Sequence, residues 1–122
     1  MDAKQSDLLQ AQLQEALTHL YDPLLEPGED LCRLLNLPQD AEADQVRQAL
    51  LQAIAALKPA VQTPRTTGIY RVYQVLKLRY VEHLTQVQTA EQLSITARHL
   101  RREQRHAVRV LACSLVEQAE RR

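Results

Sequence analysis

Arg98, Arg101, Arg102, Arg105 and Arg109 are spaced so that, at about 100° per residue, all five fall within a sector of about 100° on an α-helix. Guanidinium groups are planar, permanently charged and forked, and they bind phosphate oxygens and guanine edges with paired hydrogen bonds. Leu100, Ala107, Val108, Leu111 and Leu115 fall on the other side of the same helix. The segment is a rod with an apolar back and a cationic front, which is chemistry for a polyanion.

Other candidate centres carry less. His99 and His106 are seven residues apart and can share a helix face, but no third ligand accompanies them, so no metal site is expected. His19 and His83 stand alone and read as surface or satisfied polar residues. Cys32 and Cys113 lack metal-ligand spacing and read as small core residues or free thiols in a reducing compartment. There is no nucleophile–base pair, Gly-rich phosphate loop or paired acid cluster. Asp40, Glu42 and Asp44 have the pattern of a helix N-terminus. The chain is expected not to be an enzyme and to use no cofactor, and no small-molecule substrate is evident.

Charge divides the chain. Residues 1–62 hold four Lys and Arg against ten Asp and Glu, and residues 63–122 hold eleven against five. The net of zero is a −6 half followed by a +6 half, and only the second is suited to meet a polyanion. Two roles are open to the acidic half: completing the core of the basic half, or contacting a protein partner or the arginine face itself.

The elements that position the arginines are helical. Of the 122 residues 45% are hydrophobic, yet the aromatics are four Tyr with no Phe or Trp, so the core must be aliphatic. Leu, Ala, Gln, Glu and Arg dominate and favour helix. The expected fold is all-α, a bundle of about six helices ending in a helix-turn-helix. It comprises an acidic helical subdomain at 1–62 and a basic region at 63–122 with a long C-terminal helix. No signal peptide or apolar run of membrane-spanning length is evident, so a cytoplasmic protein without a membrane partner is expected.

Ser6 or Asp7 can cap a first helix whose stripe is Leu9, Leu13, Ala16, Leu17 and Leu20. Asp22-Pro23 and Glu26-Pro27-Gly28 break it. A short helix at 30–36 buries Leu31, Leu34, Leu35 and Leu37, and Pro38 stops it. Asp40 can cap a third helix carrying Val46, Ala49, Leu50, Ala53, Ile54 and Leu57, which Lys58-Pro59 ends. Residues 58–68, with two Pro, three Thr and Gly68, form the likeliest internal boundary. A fourth helix, 68–82, buries Ile69, Val72, Tyr73, Leu76 and Tyr80. Thr85 caps a helix at 86–93, Ser94-Ile95-Thr96 makes a tight turn, and the arginine helix starts at Thr96 or Ala97. Ala90 provides the close helix–helix contact, with Leu93, Ile95 and Leu100 pinning the angle.

The run from Leu78 to Arg102 resembles the helix-turn-helix of sigma-factor region 4 and of LuxR-type regulators. The pattern is arginine–tyrosine, a short acidic turn, leucine–threonine–glutamine, then alanine, leucine and isoleucine. The resemblance covers residues 70–112. Ser94 stands where that family usually has Gly, Thr89 where an aliphatic residue is common, and Glu103 and Gln104 where apolar residues often close the recognition helix. The resemblance implies a bacterial-type transcription regulator that reads double-stranded DNA with residues 97–109 in the major groove. Base edges fall to Thr96, Ala97, Arg98, Arg101 and Arg102. Phosphates fall to Lys77, Arg79, Thr85, Gln86, Arg105 and Arg109. It equally admits a module that docks on RNA polymerase or another regulator. The apolar stripe continues through Val110, Leu111, Leu115, Val116 and Ala119, so the long C-terminal helix could pair with its copy in a homodimer or lead into a further domain.

Overall fold

The computed structural model describes residues 3–26, 28–60, 62 and 68–121, with side chains from Asp7 onward. Among these residues the chain is all-α. The six helices are α1 (Ala3–Thr18), α2 (Glu29–Leu34), α3 (Ala43–Ala55), α4 (Gly68–Leu76), α5 (Gln86–Leu93) and α6 (Ala97–Glu120). A π-helical turn, Lys77–Val81, extends α4. The 24-residue α6 is the axis of the bundle, and α1, α2, α3, α4 and α5 all pack on it. One apolar cluster runs through both halves of the chain, from Leu9, Leu31 and Leu50 to Leu76, Leu100 and Leu115. The acidic half therefore shares the core of the basic half.

The α1 stripe is buried as its spacing predicts, with Leu13, Leu17 and Leu20 fully enclosed. The helix begins earlier than expected, at Ala3, so Asp7 lies inside it and Ser6 on its backbone rather than at its start. Asp40 is not the cap of α3. Glu42 takes that place because Gln45, three residues on, returns a hydrogen bond to the Glu42 backbone N–H, closing a capping box. Pro64 and the three threonines of the 58–68 boundary lie outside the described residues, as does Pro27.

The stripe of α4 is rotated from its expected position. Ile69 is exposed, while Val75 is fully buried beside Val72, Leu76 and Tyr80. The cause is the π turn: Val75 and Tyr80 are five residues apart, one π turn, and so share a face. Its i→i+5 bond runs from the Glu82 N–H to the Lys77 carbonyl at 2.8 Å.

The long C-terminal helix is no free tail. Leu111, Ala112 and Leu115 are buried in the common core. No helix among the described residues is long and apolar enough to cross a membrane.

Candidate nucleic-acid interface

The start of the arginine helix is set by local hydrogen bonds. Thr85 caps α5, its Oγ1 accepting from the Gln88 N–H at 3.1 Å while the Gln88 side chain accepts from the Thr85 N–H at 3.0 Å. At the other end of α5, Ser94 is left-handed at φ 56°. The Ser94 N–H reaches the Glu91 carbonyl and the Ile95 N–H the Ala90 carbonyl, the pair of bonds that terminates a helix by the Schellman pattern. Thr96 then caps α6, accepting from the His99 N–H at 3.1 Å. Two helices therefore meet across Ser94, Ile95 and Thr96. Buried Ala90 and Leu100 lie at the joint, and Leu93 and Ile95 pack at its edge.

All five arginines of the row are exposed, as are Thr96 and Ala97. Among the described residues none of the five forms an ion pair. The acidic half instead pairs its own charges, Glu15 with His19, Glu29 and Asp30 with Arg33, and Asp44 with Arg47. No described ion pair joins that half to the row, so masking of one by the other is not seen.

Of the phosphate candidates, Lys77 and Thr85 are exposed and Gln86 is half-buried at the start of α5. Arg79 has to be withdrawn. Its Nε donates to Gln104 Oε1 at 3.0 Å and its Nη1 to the Leu84 carbonyl, and its guanidinium lies 5.7 Å from the centre of the Tyr80 ring. It braces the turn before α5 from inside.

Gln104 is the residue that sequence reasoning missed. It stands at a core position of α6 and is 8% exposed. With Arg79, Tyr80 and Gln14 it makes a polar seam inside an aliphatic bundle, Gln14 Nε2 donating to the Tyr80 hydroxyl at 2.9 Å. Burial pushes the Tyr80 phenol up, with Gln14, the Arg79 charge and Gln104 acting the other way. The only advance signal was a polar residue at helical spacing within an apolar stripe. Thr89, also polar where an aliphatic residue is common, is fully buried, and its hydroxyl is satisfied by the Thr85 carbonyl at 2.8 Å.

Beside the row, α1 runs antiparallel to α6. Asp7, Gln10, Ala11 and Gln14 form one wall of a groove whose other wall holds Arg101, Arg105 and Arg109. Gln10 reaches the Arg105 carbonyl at 3.5 Å. Thr96, Ala97, Arg98 and Arg102 lie outside this groove. Among the described residues no group of three or more His, Cys, Asp or Glu is placed to hold a metal. No protein-family model, curated protein or solved structure matches the chain.

Proposed function

We propose that the protein binds double-stranded DNA with sequence preference, as a cytoplasmic transcription regulator of bacterial type, with α5 and α6 acting as its helix-turn-helix. The observation that carries this reading is the exposed row of five arginines on α6, with no carboxylate partner among the described residues. Like charges held side by side repel, and a polyanion relieves that repulsion. The start of α6 enters the major groove and α5 lies across the backbone. Thr96, Ala97, Arg98, Arg101 and Arg102 face base edges. Arg105 and Arg109, walled by α1, meet phosphates with Lys77, Thr85 and Gln86. The position of α1 supports this division, because the first turn of α6 is the part clear of it.

The test is a salt titration of binding to random-sequence duplex. About five phosphate contacts give a slope of about −4 in log affinity against log salt. Arg109→Ala is expected to weaken all duplexes alike and to reduce that slope by about one, whereas Arg98→Ala relaxes preference at one position by about 1–3 kcal/mol. Negligible binding at moderate salt would instead mark a module that docks on a protein such as RNA polymerase.

A further inference from the structure

On the flank of α6 opposite α1, the start of α4 and α6 enclose a cleft of about 500 Å³ lined by Gly68, Arg71, His99, Arg102, Glu103 and His106. We propose that this cleft is a phosphate site, and that it seats one backbone phosphate of duplex DNA beside the arginine row. The proposal rests on the DNA-binding reading for the source of the phosphate but not for the site itself.

Two guanidinium groups and two imidazoles face one carboxylate here. That carboxylate is overcommitted. Glu103 Oε1 lies 3.0 Å from His99 Nε2 and 4.0 Å from Arg71 Nη1. Arg71 Nη1 is shut off from solvent and has no hydrogen-bond partner. A buried charged donor without an acceptor is an unfavourable arrangement that an incoming oxyanion corrects. The cleft offers more than one donor to such an oxyanion. Arg102 and His106 share the lining, and α4 begins at Gly68, so the positive end of its dipole lies at the same place. On the α6 helical wheel His99, Arg102 and His106 fall within about 100° of Arg98, so a strand following the row passes the mouth of the cleft.

The charged and titratable groups facing this space are Arg71 from α4 and His99, Arg102, Glu103 and His106 from α6. Histidine changes charge between about pH 5 and 8. Protonation of both imidazoles adds two positive charges beside a phosphate, so affinity rises as pH falls.

The experiment uses the full chain in two arms. In the first, duplex binding is followed by fluorescence anisotropy at pH 6 and pH 8. The expected gain at pH 6 is roughly tenfold, from charge-assisted contacts of the two imidazoles. His99→Gln with His106→Gln flattens the pH dependence, Arg71→Met weakens binding at both pH values, and Glu103→Gln strengthens it. Strengthening is a result that loss of fold cannot produce. In the second arm inorganic phosphate alone is titrated while the imidazole proton resonances are followed, with saturable shifts expected in the wild type and lost in Arg71→Met. Duplex binding that is equal at both pH values and in Arg71→Met, with no phosphate-induced shift, overturns the site and leaves the DNA reading standing. Phosphate-induced shifts in a chain that binds no duplex keep the site and overturn the DNA reading.

Discussion

The two flanks of α6 solve the same problem in opposite ways. Both bring polar side chains against a helix whose back is apolar. On the α1 flank the partners are neutral amides and a phenol, and the one cation, Arg79, is held by Gln104 and the Leu84 carbonyl. On the α4 flank the partners are charged, and Arg71 Nη1 is left without an acceptor. A buried polar group that is satisfied fixes geometry, while one that is not is open to a ligand. The α1 flank thus sets the pose of α5 and α6, and the α4 flank is the one with capacity to spare.

The sharpest way to break this contrast is to truncate the two arginines separately. Arg79→Ala leaves Gln104 Oε1 and the Leu84 carbonyl without their donor inside the bundle. A loss of about 2–4 kcal/mol is expected, because the bonds to Arg79 are charge-assisted and partly shielded. Arg71→Ala removes a weakly partnered group and should leave stability within about 0.5 kcal/mol of the wild type. Urea denaturation of both variants measures this. Equal losses would mean that the flanks do not differ.

Why Arg79 and Arg71 escaped the sequence while the row did not follows from what each depends on. Exposure of Arg98, Arg101, Arg102, Arg105 and Arg109 needs only helical periodicity and an apolar back, both present in the local sequence. The bounds of α5 and the start of α6 were legible for the same reason, since Thr85 and Thr96 cap through their nearest neighbours. Glu42 outcompetes Asp40 through Gln45, a signal that is local but was not weighed. The π turn is different. Nothing within Lys77–Val81 announces an extra residue in the turn, yet that residue swings Val75 inward, leaves Ile69 outside and points Arg79 at Gln104, 25 positions away. Its position is fixed only once α6 has packed on α4.

The phenol of Tyr80 tests the same seam more gently. Tyr80→Phe deletes the acceptor of the Gln14 bond without opening a cavity, and a loss of about 1 kcal/mol is expected. It also carries a pH signature. Burial holds the folded phenol above the ordinary tyrosine value of 10.0. The unfolded chain then ionises first, so the stability from the neutral phenol is complete below that value and is lost as pH rises through the raised folded value. Cys32, whose thiol burial pushes up from 9.0, acts in the same direction from a lower starting point. Denaturation midpoints between pH 8 and 11 should fall in the wild type and fall less steeply in Tyr80→Phe. An unchanged profile would show that Tyr80 does not ionise differently on folding.

The smallest effect separates the turn from the seam. Ser94 occupies a left-handed conformation that a β-carbon disfavours, and the resemblance to helix-turn-helix regulators marked this position as one where glycine is usual. Ser94→Gly relieves the strain at the expense of some extra freedom in the unfolded chain, for a net gain of about 0.5–1 kcal/mol. The two bonds that end α5 are backbone bonds from Ser94 and Ile95, so they survive the change. If Arg79 and Gln104 hold α5 against α6, the variant gains stability and binds duplex as the wild type does. If it gains stability but loses affinity, the angle between the helices is set by the stiffness of Ser94, and the seam beneath them only supports what the turn has already fixed.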